Sequence, residues 1–502
     1  MNVEVAAALA TLAAHAHEFL SPCGRAAYRG SRRLSLASLP ESVLLDILTR
    51  LEADDRMLLS VACTRLRALV NTPSLWTECT MALSSLADGS TLVICDEFLA
   101  LCSAKAAGGM TRLVLDGTPV RFEKKQPHAK LAANTLSSEQ VLSAVRANGG
   151  SLTVISLADC QEDRASTGLP SSFVQSLLDA APRLASLDVD VECKTLSDAL
   201  ALLSRPPLRV HDLHVCCVQC AGRPRHHAPP LRALFAAVAA QPSLKHLSLD
   251  DFMLTSAQLG ALVDAVNSAR VEGLNLMVEF SDNHPSDDEE DDPLALAAAA
   301  EVGHSGFATA PHLARLVAPR ADGSALTQLT IYNVYAQLQF TPELCDALAS
   351  SRITHLSFGA IGLWDDIPNA LCLMDALHAH PVITDLRLEI EMVNDEDDVP
   401  VIAASFARLL SAHTLTFFSI EDMDLGDALV PVFEAVGTAK GLEGFNCGDN
   451  ATESERGFSD RGAAALLAAA RACASLKELT ACREWGDMPD VVTSVAVAAA
   501  RA

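Results

Sequence analysis

The chain has 502 residues, half of them apolar, a fifth charged and few aromatic, which is room for a large core or several domains. Its 63 acidic residues against 37 basic ones leave a formal net charge of −26, a field that repels phosphate backbones and anionic lipid and so argues against nucleic acid or membrane as a partner. Fifteen cysteines, odd in number and without framework spacing, read as reduced and mostly buried small hydrophobes, as expected of a cytoplasmic or nuclear protein.

The first stretch, VEVAAALATLAAHAHEFL from Val3, is apolar but has no basic residues ahead of it and is too short to span a bilayer. We expect a loose helix or tail, and a short basic linker at Arg25, Arg29, Arg32 and Arg33 completes a segment 1–35.

Residues 36–80 form a compact helical pattern. Ser38 and Glu41 have the spacing of a capping box, with Pro40 in the first turn. Leu39, Val43, Leu44, Ile47, Leu48 and Leu51 recur at helical spacing while Glu41, Asp46 and Arg50 face away. Short stripes follow at Leu58, Val61 and Ala62, then at Leu66, Leu69 and Val70, and Pro73 closes the unit before Ser74-Leu75-Trp76. Three short helices in about forty residues are small for a lone core, so the module should dock on its own chain or on a partner.

LPESVLLDILTRL, VACTRLRALV and PSLW, in that order and spacing, resemble an F-box, the motif by which substrate receptors join SCF-type cullin–RING ubiquitin ligases. Leu66 stands where that family often has an aromatic residue. The resemblance implies that Leu39, Pro40, Val43, Leu44, Ile47 and Leu48 contact the SKP-family adaptor, and through it the cullin.

A helical bridge, 81–109, with one helix near Leu92–Ala106, leads into a repeated pattern: apolar, two residues, apolar, one residue, apolar. It occurs as MTRLVL from Met110, LTVISL from Leu152, LASLDV from Leu184, VHDLHV from Val210, LKHLSL from Leu244 and VEGLNL from Val271. It returns as LTQLTI from Leu326, ITHLSF from Ile353, ITDLRL from Ile383, LTFFSI from Leu415, LEGFNC from Leu442 and LKELTA from Leu476. Helical patterns such as LRALFAAVAA from Leu231 and FARLLSAH from Phe406 lie between. A step of about 26 to 34 residues with a full helix per unit resembles the ribonuclease-inhibitor-like leucine-rich repeats. The implied α/β fold is a horseshoe over 110–502, with parallel strands on the concave face and helices on the convex face. The step stretches to 55 residues between Leu274 and Leu329, a gap that holds an acidic loop at 281–293. It leaves open whether a repeat is hidden near Leu294–Val317.

Side chains flanking the central apolar residue of each strand should point to the concave face. These include Asp188, Asp190, His214, His246, Asp250, Tyr332, His355, Asp385, Arg387, Glu389 and Glu421, with Arg112, Asp116, Asp212, Gln328 and Glu478 in the same setting. Carboxylates dominate, which suits a basic segment of a target protein. His211, His214, Cys216, Cys217, Cys220, His226 and His227 are rich in metal-ligand types, but those on a strand point to opposite faces and no second Cys-x-x-Cys completes a site, so neither metal nor cofactor is expected. Ser286 with Asp287, Asp288 and Glu289 resembles a site for acid-directed kinases, but the acidic-spacer reading is simpler. No P-loop, G-x-S-x-G, H-E-x-x-H or dinucleotide turn occurs. The expectation is a non-catalytic substrate-recognition subunit of an SCF-type ligase. The alternatives are a leucine-rich-repeat scaffold or inhibitor outside any ligase and, further off, a small-GTPase activator.

Overall fold

The computed structural model describes residues 41–49, 51, 56–57, 59–60, 64–82, 95–116, 120–121, 136–158, 169–192, 210–218, 228–280, 309–332, 340–359, 367–389, 399–421, 425–448 and 460–481. The basic linker, the Ser38 cap, the acidic loop and Ser286 lie outside them. The chain divides into two compact units, Met1–Glu192 with Arg205–Val210, and Cys193–Ser204 with His211–Ala502.

In the first unit, α1 (Glu41–Thr49) and α2 (Thr64–Val70) pack on each other, and a 3-10 turn at Pro73–Trp76 packs on α1. Trp76 is fully buried and its indole N–H donates to the Val70 carbonyl at 2.6 Å. Arg56, only 7% exposed, donates to the carbonyls of Leu51 and Leu75 and lies 5.7 Å from the Trp76 ring. A buried guanidinium is tolerable because its donors meet carbonyls and its plane meets an aromatic face.

The chain then runs straight into a sheet. Strand β1 (Glu78–Ala82) pairs in parallel with β2 (Arg112–Asp116), so the expected helical bridge begins as a strand, and its next described element is α3 (Cys95–Ala106). A two-stranded pair, β3 (Val120–Arg121) with β4 (Leu136–Ser137), precedes α4 (Ser138–Asn148), whose start is capped by the Ser137 hydroxyl accepting from the Gln140 N–H. Strand β5 (Val154–Leu157), α5 (Ser171–Ala180) and β6 (Ser186–Glu192) follow, and the sheet runs β1-β2-β5-β6. Asn148, fully buried, joins its layers: its amide donates to Ser103 Oγ and the Ala144 carbonyl, and its oxygen accepts from the Met110 N–H.

In the second unit every strand is parallel to the next, in chain order: β7 (Asp212–Val218), β8 (His246–Leu254), β9 (Gly273–Phe280), β10 (Gln328–Tyr332), β11 (His355–Gly359), β12 (Asp385–Glu389), β13 (Phe417–Glu421), β14 (Gly444–Cys447) and β15 (Glu478–Ala481). All the strands expected from the repeat pattern are present. Among the described residues, the helices between them are α6 (Ala228–Ala239), α7 (Ser256–Ala269), α8 (Thr309–Val317), α9 (Pro342–Ala349), α10 (Ile367–Ala379), α11 (Val399–Ala412), α12 (Val430–Thr438) and α13 (Asp460–Ala472), each packed on its neighbours in sequence. Crossovers of one hand between sequential parallel strands put every helix on the same side of the sheet. The apolar strand positions, such as Leu329 with Ile331 and Leu386 with Leu388, face that side and are buried. In this α/β repeat each unit covers its neighbour's apolar face.

A threonine ladder fixes the register. The hydroxyls of Thr354, Thr384 and Thr416 donate to the carbonyls of Thr327, Thr354 and Thr384, one repeat back in each case. No strand stands between β9 and β10 in the sheet, where they are hydrogen-bonded neighbours with Leu274 opposite Leu329. Among the described residues of the gap, only α8 adds regular structure.

Candidate functional site

Helix α1 carries one candidate surface. Leu44, Ile47 and Leu48 are at most 1% exposed, which corrects the expectation that all six named side chains lie open for the adaptor. A nine-residue helix has a single apolar stripe, and here it seals the module's own core against α2 and the Pro73–Trp76 turn. Val43 and Leu45, half-buried, flank that stripe, with Glu41, Ser42, Asp46 and Thr49 exposed. Leu39 and Pro40 lie outside the described residues. Leu66, in the family's aromatic position, is buried.

The first unit's strand face carries Asp188, half-buried, whose carboxylate accepts from the Ser156 hydroxyl at 2.6 Å. Asp190 is 3% exposed and so drops out of any accessible surface. Its strand runs on to Glu192, and the segment just ahead of α5 lies beside it, with the Leu169 N–H donating to the Asp190 carbonyl.

The second unit carries the larger candidate surface, the sheet face opposite its helices. Register aligns the outward side chains in rows. The first runs Asp212, His246, Gly273, Gln328, His355, Asp385, Phe417, Gly444, Glu478, and the second His214, Ser248, Asn275, Thr330, Ser357, Arg387, Ser419, Asn446, Thr480. A third includes Cys216, Asp250, Met277, Tyr332 and Gly359, and Glu389 opposite Glu421. All the expected contact residues of this unit lie on these rows.

Hydrogen bonds join the rows. His246 Nδ1 is 2.6 Å from Asp212 Oδ1 and His214 Nε2 is 2.7 Å from Asp250 Oδ2, while Ser248 donates to Asp250 and accepts from Asn275. A bulge at Asp251 (φ 59°) lets Asp250 face outward while Phe252 turns into the core. Tyr332 donates its hydroxyl to Glu389 Oε1 at 2.8 Å. Glu421 Oε1 accepts from both the Ser419 hydroxyl and the Asn446 amide. Arg387 pairs with Asp385 at 3.1 Å and lies 4.5 Å from the Phe417 ring centroid.

Three glycines make room for rings. A side chain at Gly273, Gly359 or Gly444 would run into His246, Tyr332 or Phe417, each reaching across from the adjacent strand. Sequence reading passed over these glycines, the middle-row residues Ser248, Asn275, Ser419 and Asn446, and Phe417. The alternation that exposed Asp385 and Arg387 also points to Phe417 and Ser419; the glycines become visible only in register.

His214 is engaged by Asp250, and Cys216 Sγ sits 3.6 Å from Asp251 Oδ2. Cys220, His226 and His227 lie outside the described residues, among which no group of three or more such ligands gathers. No described helix is long and apolar enough to cross a membrane.

Fold and sites define a class: an α/β protein of stacked strand–helix repeats with an F-box-like module at its N-terminal side. The F-box-like family model matches residues 36–81. No curated protein matches the chain. A crystal structure of a TLR13–ssRNA13 complex is similar at 13% identity and a TM-score of 0.32, covering 76% of this chain. The chain spans 44% of the length of that relative.

Proposed function

We propose that this chain is the substrate-recognition subunit of an SCF-type cullin–RING ubiquitin ligase, itself without catalytic residues. Its F-box-like module would bind an SKP-family adaptor, and its repeats, which we read as ribonuclease-inhibitor-like leucine-rich repeats, would hold a target protein. The carrying observation is the F-box-like match at residues 36–81 ahead of a repeat sheet with an open polar face. The mechanism is proximity: a bound target's lysines are held beside a ubiquitin-charged enzyme, which raises their effective concentration. With Leu44, Ile47 and Leu48 buried, the docking face narrows to Leu39, Pro40 and Val43, with Leu45 on the far flank.

The test is co-purification of a recombinant SKP-family adaptor with the full chain and with Val43→Asp. Capture by the parent and its loss in a variant that still melts cooperatively at the parent temperature supports the reading. No capture by the parent overturns it.

One observation favours a second reading. The module's apolar stripe is sealed and its last segment continues into the repeat sheet through β1, as a capping unit would. In that case the protein is a repeat scaffold outside any ligase, and neither form captures the adaptor.

A further inference from the structure

We propose that Cys345 and Cys372 form a redox-controlled clamp, a reversible disulfide that staples helix α9 to helix α10 on the helix side of the second unit. Cys345 lies in the first turn of α9 and Cys372 midway along α10, and the two helices pack directly on each other. Their thiols hydrogen-bond across that contact. A disulfide brings its sulphurs to about 2 Å and its Cβ atoms to about 4 Å, so thiols already in contact have little further to travel. Residues 345–372 enclose the whole of β11. The bond therefore ties that strand into a closed loop and restrains its opening.

Closeness alone does not select this pair. The Cys102 thiol on α3 hydrogen-bonds Cys79 on β1 in the same way, yet both residues are sealed at 0% exposure and lie out of an oxidant's reach in the folded chain. Cys345 is also buried, but Cys372 is only half-buried. Access falls to Cys372. Burial, and then the Cys372 sulphur beside it, push the Cys345 thiol up, away from the reactive thiolate. The order of steps follows from that asymmetry. The Cys372 thiolate attacks a small disulfide such as oxidised glutathione, forming a mixed disulfide and expelling one glutathione thiolate. Cys345 then attacks the Cys372 sulphur and expels the second. The two protein thiols lose two electrons to the glutathione disulfide, and their two protons end on the two glutathione thiols.

The test treats the purified, reduced full chain with oxidised glutathione, blocks the remaining thiols by alkylation and maps linked peptides by mass spectrometry. A Cys345–Cys372 link should appear and be lost again in dithiothreitol, while Cys79 and Cys102 are recovered as free thiols. Hydrogen exchange of the β11 amides should slow by about tenfold in the linked chain. Cys372→Ser should melt with the reduced parent and show no such slowing under the same treatment. A Cys372 that stays free, or that stops as the glutathione adduct, overturns the proposal in the parent alone. So does unchanged β11 exchange in the linked chain, or equal slowing in Cys372→Ser. Linkage of Cys79 to Cys102 to the same extent would overturn the argument from access. None of these readouts involves the adaptor, so the ligase reading stands or falls separately.

Discussion

Thr111 donates twice to the carbonyl of Thr77, from its N–H at 2.7 Å and its hydroxyl at 3.1 Å. Thr153 donates its N–H and hydroxyl to Thr111 in the same way, so Thr77 is the first rung of a ladder that continues one repeat on. Register places Trp76-Thr77-Glu78-Cys79-Thr80-Met81 level with Met110-Thr111-Arg112-Leu113-Val114-Leu115. The end of the F-box-like module is thus also the first repeat strand, with buried Cys79 in the leucine position. Module and first repeats should therefore lose structure together.

Trp76→Ala tests that coupling. Removing a buried aromatic should cost about 3–5 kcal/mol, and its indole bond to Val70 is lost as well. Denaturant unfolding followed by hydrogen exchange should show the amides of β1 and β2 losing protection with those of α2. Loss confined to α2 would mean that the module unfolds alone.

Helix α1 separates packing from docking. Ile47→Ala and Leu44→Ala should each destabilise the first unit by about 2–5 kcal/mol, since both side chains are fully packed. Val43→Asp, half-exposed, should cost under about 1 kcal/mol. Melting curves of the three, read beside adaptor capture, show whether a lost interaction reflects the surface or the fold.

His380 predicts a pH dependence. It is 1% exposed, and burial, with His413 adding to it, pulls its imidazole from 6.5 down to about 4. Nδ1 accepts from the Val382 N–H and Nε2 bonds Ser351, which suits the neutral Nε2–H form. The unfolded chain takes up the proton below about pH 6.5 but the folded chain only near pH 4, so stability falls as pH drops through that window, by up to about 3 kcal/mol. Denaturation midpoints at pH 7, 5.5 and 4.5 should fall less steeply in His380→Gln than in the parent. Parallel profiles would remove His380 as the cause.

Two adjacent glycines form a matched pair. A Cβ at Gly149 would sit 1.8 Å from the Ala180 carbonyl oxygen, whereas one at Gly150 meets nothing within 4 Å. Gly149→Ala should destabilise by about 1–3 kcal/mol, because backbone must move to admit the methyl group. Gly150→Ala should lie within about 0.5 kcal/mol of the parent. Thermal unfolding of both proteins is the check.

Much of the fold was legible because its cause is local. Leu329 and Ile331, or Leu386 and Leu388, alternate within one strand whatever their neighbours do, and a helix such as α11 shows its period in its own residues. The F-box-like stretch was readable for the same reason. The first repeat strand was hidden because Trp76 and Cys79 replace the usual leucines, and only pairing with β2 reveals their role. The 55-residue gap likewise needed the pairing of Leu274 with Leu329.

Composition, periodicity and motif order thus determined the repeat strands from β2 on, their sequence along the chain and the apolar side of each. Which apolar side chains of α1 remain open, that Asp190 is covered, and that Glu389 faces Glu421 beside a ring lying over Gly359 were decided by tertiary structure alone. Each depends on what lies across a strand or beneath a helix, and residues brought together from distant repeats leave no pattern within any one of them.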